Sequence, residues 1–580
     1  MSSPMHEHEH EHDLGVLAAL ERGAYAQAAL SRFKLSCPLP ALPAALYPLG
    51  PSLTTLDLSG TGLSSLPADL GVQLGCLTVA FFSNCRFGVF PAAALASCPA
   101  LETVAFRRNG MQRFPADAVF PARLRWLILT DNRLGALPES VGACGRLEKC
   151  LLAGNRLAAL PGALQRCERL ALLRLGRNRL RELPAWLFAM PALAFLSWAG
   201  NPCLGPEAGL DGGPGGRGEG EAQGEGEAPG LAHIPWSALE VQETLGEGAS
   251  GVISRAVWTR KRAEGGKEEE EKKEEEKEGE EEEEEEKQTA VAVKLFRGAI
   301  TSDGAPADEM AACLAAGAHE NLIGVLGRIV GHPEEEGEKE KETDVDEKGE
   351  EDKDVDEEEE EEEVKESTGD SSRFQGGIVM PLVPAGQYAA LGDPPSLATC
   401  TRDTFPAGTR RLGAREALGV VRGVARAAGH LHGRGVAHGD LYAHNVLVRR
   451  RRQEAGEEAG EEAGEEAGEA EQDEDGHALL GDLGAATVYA AAYEGGRERF
   501  GGVERLEVLA FAHLVEDVLG LMGRGQDEGE VEEGEEVEEA EEVEEAVKSL
   551  LEGLHARCAV REVSQRPSFS ELEAVLKLDP

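Results

Sequence analysis

At 580 residues the chain exceeds what one hydrophobic core can hold, since cores stop growing near roughly 250 to 300 residues, so at least two domains are expected. The formal net charge of -49 argues against a nucleic-acid partner. Most of it lies in four runs, 264–287, 334–370, 454–475 and 527–545, which together carry -54 and leave the rest of the chain near +5. Such runs read as solvated, disordered inserts and say little about what the folded parts bind.

Residues 1–13 alternate His and Glu and read as a disordered tail. The chain has no positively charged start and no long apolar run behind it, so neither a signal peptide nor a membrane span is expected. Eleven cysteines, without a CxxC or a zinc-like spacing, read as small buried hydrophobes of a reducing, cytoplasmic setting. The apolar stretch 14–35, within a region 14–50, reads as a helix capping the apolar end of the next region.

From 51 to 203 the pattern LxxLxLxxNxLxxLP recurs every 23 residues. Its clearest copies place Asn132, Asn155 and Asn178 at the Asn position, and looser ones place Thr61, Cys85, Asn109 and Asn201 there, giving about seven units. Alternate leucines bury one face of a short strand, and the Asn satisfies backbone groups at the turn between units that cannot fold alone. These residues resemble the leucine-rich repeats of the LP-ending type, which implies an α/β solenoid that binds protein. The alternation points Arg107, Trp126, Ile128, Lys149, Leu151, Leu172, Arg174 and Phe195 to the concave face. That face is unexpectedly apolar, which predicts that a protein partner, or the chain's own C-terminal part, docks on it. A Gly/Glu-rich linker spans 204–232.

A second domain is expected over 233–578. LGEGASGVI places Gly246, Gly248 and Gly251 in a GxGxxG turn between two strands, where glycine lets a backbone approach phosphates closely. After an acidic insert comes VAVKLF with Lys294, and then Glu309 in a helical stretch. GGIVMPLVP carries Met380, Pro381 and Val383. HGDLYAHNVLV carries Asp440 and Asn445 at a D-x4-N spacing, and GDLG supplies Asp482. RCAVREVSQRPSF, with Arg566, lies near the C-terminus.

In this order the segments resemble eukaryotic-type protein kinases, in particular leucine-rich-repeat protein kinases with HGDLYAHN loops. The resemblance implies an α+β bilobal fold using ATP and Mg²⁺ on a protein substrate, with transfer expected to be Ser/Thr-directed. It implies that Gly246, Glu247, Gly248, Gly251, Ile253 and Ala292 line the nucleotide, that Lys294 holds its phosphates and that Glu309 pairs with Lys294. Met380 would be the gatekeeper, the Pro381 carbonyl and Val383 backbone would bond adenine, and Leu447 would floor it. Asp440 would accept the substrate hydroxyl's proton, with Asn445 and Asp482 on the metal.

The pattern departs from the family in three places. Gly439 stands where an Arg usually precedes the catalytic Asp, so no cation there can grip a phosphorylated loop. Only about 20 residues separate Asp482 from the helix near Val503, and no APE is present. Tyr442 and His444 obey neither the Ser/Thr nor the Tyr specificity rule. Two alternatives therefore stay open: a catalytically dead scaffold, and a small-molecule kinase of the aminoglycoside-phosphotransferase type, which also uses HGDL.

Overall fold

Repetition every 23 residues sets equivalent residues side by side, and the result is a parallel sheet of eight three-residue strands. They are β1 (Arg32–Lys34), β2 (Thr55–Asp57), β3 (Val79–Phe81), β4 (Thr103–Ala105), β5 (Trp126–Ile128), β6 (Lys149–Leu151), β7 (Leu172–Arg174) and β8 (Phe195–Ser197). The register joins Leu56, Ala80, Val104, Leu127, Cys150, Leu173 and Leu196 in one buried row. Behind it, Asn155 accepts from the Leu134 amide at 3.1 Å and donates to the Leu129 and Leu152 carbonyls at 2.9 and 3.0 Å. Asn132, Asn178 and Asn201 do the same in their own units, so each unit's unpaired backbone is satisfied by its neighbour.

Two expectations need correction. The sheet has one strand more than the seven units read from sequence, because β1 pairs with β2 although Phe33 and Pro38 stand where later units carry Leu and Asn. Helix α1 runs Pro4–Glu21, so it starts inside the segment expected to be a tail and stops well before residue 35. Gly23, at φ +74°, ends it in the left-handed conformation that glycine adopts without strain. Leu20 seals the solenoid core from α1, and Asp13 accepts from the Ser36 amide at 2.7 Å. Two short convex helices come next, α2 (Leu70–Gln73) and α3 (Ala92–Ala96).

The computed structural model describes residues 4–25, 29–205, 232–248, 251–260, 287–297, 300–301, 303–333, 374–451, 476–489, 500–523 and 535–577. Apart from 204–205, 232 and 287, the linker and the first three acidic runs lie outside the described residues. The chain divides into two compact units, each built from more than one stretch of sequence. The larger comprises 1–217, 300–323 and 385–580; the smaller comprises 218–299 and 324–384.

The smaller unit is a six-stranded sheet in the order β10-β11-β12-β14-β13-β9. Its strands are β9 (Ala232–Pro235), β10 (Leu239–Gly248), β11 (Gly251–Arg260), β12 (Lys287–Arg297), β13 (Gly327–Val330) and β14 (Phe374–Pro381). Alternating Val291 and Val293 pack with Ile234, Ala256, Ile329 and Val379 on one face. Arg260 pairs directly with Lys287, so the chain leaves and rejoins the hairpin at one rung on either side of 261–286.

In the larger unit, α4 (Pro306–Ala316) is succeeded by a small sheet of β15 (Tyr388–Ala390), β17 (Val446–Arg449) and β18 (Ala478–Leu480) and by the pair β16 (Val436–Ala437) with β19 (Thr487–Val488). Helices α5 (Ala414–Gly433), α6 (Val503–Leu521), α7 (Glu535–Cys558) and α8 (Phe569–Leu576) pack around them. In α5 the buried Val420, Val421, Val424, Ala428 and Leu431 form one apolar stripe. The fourth acidic run, expected to be disordered, is helical from Glu535, while 527–534 lie outside the described residues. Val547, Leu551, Leu554 and Cys558, at helical spacing and buried, anchor that helix, and Glu and Ala extend it. Leu151, Leu172 and Phe195 of the solenoid share one apolar cluster with Leu441, Tyr442 and Leu483. The concave face read as a docking surface thus holds the chain's own helical lobe, with Trp126 and Ile128 packed at its edge.

Candidate functional site

Asp440 and Asn445 lie on the loop between β16 and β17, and that loop is held from below by buried groups. Glu507 of α6 accepts from the His432 ring at 2.7 Å, from the His438 amide at 3.2 Å and from the Gly439 amide. Burial alone would raise its carboxyl, but the His432 hydrogen bond and the other donors outweigh this and hold it below the ordinary range. His438, fully buried, bridges the Gly481 carbonyl at 2.9 Å and the Asp440 amide at 3.2 Å, which ties the loop to the segment bearing Asp482.

Above this base the polar groups converge. Asn445 Nδ2 donates to the Asp440 carbonyl at 2.9 Å and to its carboxylate at 3.1 Å, which turns the amide oxygen away as a hard acceptor. Asp482, at φ +56°, accepts from the Gly484 amide at 3.1 Å. A side chain at Gly484 would meet Asp482 Oδ1 at 3.0 Å and Glu309 Oε2 at 3.6 Å, so both carboxylates border the same glycine. Leu447 is half-buried in β17, opposite Ala390 and Leu479.

The residue that sequence reasoning misses at this site is Arg174. The repeat pattern places it on the concave face, with no link to the Asp440–Asn445 loop. Its guanidinium, 2% exposed, donates from Nη1 to the Gly439 carbonyl at 2.7 Å, from Nε to Asp303 at 2.9 Å and from Nη2 to Asp440 Oδ1. Burial opposes the Arg174 charge, and Asp440 and Asp303 outweigh it. Burial also raises the Asp440 carboxyl above its ordinary range; Arg174 opposes this, while Asp303 and Asp482 add to it. One strand along, Phe195 lies flat on Tyr442, ring centroids 4.0 Å apart and planes 9° apart. Gly439 has φ +74°, and a Cβ there would meet the Ala485 carbonyl at 2.6 Å and the Leu196 carbonyl of β8 at 3.1 Å. No side chain, and so no arginine, fits where the family carries one. The available signal is this glycine together with an arginine flanked by Leu151, Leu172 and Phe195 on the concave face.

Arg566, fully buried, donates to the carbonyls of Val560 (2.9 Å), Arg505 (3.2 Å) and Pro191 (2.6 Å), the last on the solenoid. Burial lowers its guanidinium to about 10.

In the smaller unit Gly246 faces Ile253 and Gly248 faces Gly251 across the β10–β11 hairpin, with Glu247 between them opposite Val252. At Gly251 a Cβ would collide with the Leu295 carbonyl at 2.1 Å, so that position requires glycine. Lys294 is cross-strand to Ile253 and Ile378, 6% exposed, with its ammonium 5.3 Å from the Phe296 ring centroid. Ala292 pairs with Met380 and Val291 with Pro381; Val383 lies past the end of β14. Lys294 therefore belongs to the smaller unit and Glu309 to the larger.

A metal–nucleotide group fits the donors present. Asp303 and Asp482 raise the proton affinity of Asp440, which a divalent cation would relieve, and Asn445 and Asp482 offer hard oxygens. Among the described residues no three His, Cys, Asp or Glu side chains form a ready-made metal cage.

Residues 239–455 match the family model of protein tyrosine and serine/threonine kinases, so the chain carries a protein kinase domain. The matched segment includes Lys294, Asp440 and Asn445 and ends before Asp482. No curated protein shows significant similarity to the chain. Among solved structures, a leucine-rich-repeat protein of Leptospira interrogans is 20% identical over 31% of this chain and 51% of its own length, with a TM-score of 0.27. The chain thus spans about half of that protein. Among the described residues no helix is long and apolar enough to cross a membrane.

Proposed function

We propose that the chain is an ATP-dependent protein kinase that transfers the γ-phosphoryl group of Mg·ATP to a Ser/Thr hydroxyl of a protein. The observation that carries this is the Asp440–Asn445 pair: the amide nitrogen orients the carboxylate, and the amide oxygen is left for the metal. In this reading Lys294 binds the phosphates and Asn445 and Asp482 hold Mg²⁺, which neutralises developing charge. Asp440 orients the acceptor hydroxyl and takes its proton. The glycines of the β10–β11 hairpin admit the phosphates, with Ile253, Ala292, Met380, Pro381, Val383 and Leu447 around the base. Nine of the eleven cysteines are buried like small hydrophobes, which suits the cytoplasm.

Two measurements on the full chain test this. A fluorescent ATP analogue should bind in a Mg²⁺-dependent way, at least tenfold more weakly to Lys294→Met. Slow transfer of radiolabelled phosphate to casein should vanish in Asp440→Asn; equal incorporation by both proteins would sink the enzyme reading.

A further inference from the structure

An acceptor hydroxyl must come within hydrogen-bond reach of Asp440, about 2.6 to 3.2 Å, for its proton to be taken. In the structure that approach is narrowed from the solenoid, which leaves the Asp440 side chain 18% exposed. One carboxylate oxygen of Asp440 is taken by Arg174 and the other by Asn445. The Gly439 carbonyl beside them is also held by Arg174, and Phe195 covers Tyr442 two residues on. The cover is built, not incidental: Arg174 and Phe195 are 2% and 1% exposed, and Gly439 leaves room for the Leu196 carbonyl where any side chain would strike it. Arg177, clamping Asp308 at 2.7 and 2.8 Å, fastens the same edge. All of these contacts lie within the larger unit, whereas the hairpin glycines and Lys294, assigned to the phosphates, belong to the smaller one.

We infer that the solenoid is a built-in stopper for protein substrates, with Arg174 as its plug: seated as here, the chain takes up Mg·ATP but excludes an acceptor hydroxyl from Asp440. This rests on the kinase reading above. Transfer to protein then requires the β7–β8 edge to leave the catalytic loop, and any partner that releases it must compete for the face bearing Leu151, Leu172, Arg174 and Phe195.

The test uses the full chain as wild type, Arg174→Gln and Phe195→Ala, with Mg·ATP and either casein or a Glu–Tyr copolymer as acceptor. Analogue binding is read in the same samples. Transfer should rise at least tenfold in each variant while analogue affinity stays within twofold, and adding Asp440→Asn to Arg174→Gln should abolish the gain. Unchanged or reduced transfer by a folded variant that still binds the analogue overturns the stopper and leaves nucleotide binding standing. Failure of the wild type to bind the analogue overturns the kinase reading itself. Should both variants lose cooperative melting, wild type is assayed in sub-denaturing urea. A maximum in transfer before unfolding supports release, and a monotonic decline overturns it.

Discussion

Replacing Gly439 with alanine probes a close approach between the Asp440–Asn445 loop and the solenoid. The new Cβ costs twice. Holding a non-glycine residue at φ +74° costs roughly 1 to 2 kcal/mol. Pushing it against the Ala485 carbonyl at 2.6 Å and the Leu196 carbonyl at 3.1 Å adds about 1 to 3 kcal/mol of overpacking. Both contacts are backbone atoms, so no rotamer change relieves them. The expected loss is about 2 to 5 kcal/mol in urea unfolding of the full chain, monitored by tryptophan fluorescence, which the buried Trp198 reports. Gly135→Ala serves as control: nothing lies within 4 Å of its Cβ and its backbone needs no glycine, so it should stay within about 0.5 kcal/mol of wild type. If the two variants unfold at the same midpoint, the close approach between loop and solenoid is wrong.

Single groups elsewhere carry further consequences. Asn155→Ala strands the Leu134 amide and the Leu129 and Leu152 carbonyls and should cost about 2 to 4 kcal/mol, read as a lowered melting temperature. Burial, reinforced by Arg402, lowers His513 to about 4, so the unfolded chain binds a proton below about 6.5 that the folded chain refuses. Stability should therefore fall between pH 6.5 and 4, by up to about 3 kcal/mol, with part of the slope offset by Asp517, raised to about 6 by burial. His513→Gln should flatten that limb in melting curves taken across the window. Glu507→Ala removes the acceptor shared by His432, His438 and Gly439, and should slow transfer to casein more than it weakens analogue binding.

Local spacing makes much of this chain legible. The 23-residue recurrence reveals the solenoid because each unit buries the same positions, and D-x4-N marks a loop whose two side chains do meet. What stays hidden depends on distant segments. Phe33 and Pro38 break the repeat pattern yet leave β1 able to pair through its backbone, which carries no side-chain signature. The acidic residues after Glu535 read as solvated because the anchoring Val547, Leu551 and Leu554 come only afterwards. Arg174 reads as one of three cations on the concave face, with Arg107 and Lys149, since nothing near it in sequence tells that Asp440, 266 residues on, lies against it. Gly439 reads as the loss of a cation; in space its missing side chain lets the Ala485 and Leu196 carbonyls close in, while its own carbonyl accepts from Arg174.

The rung formed by Arg260 and Lys287 has a practical side. Because the hairpin closes before the acidic run departs and after it returns, the sheet does not register how much chain hangs between the two residues. Doubling the intervening length costs only about 0.6 kcal/mol in closure entropy. That makes the rung a natural splice point: a fluorescent domain or an affinity tag could be seated there, and its signal tracked while the kinase fold beneath keeps its own register.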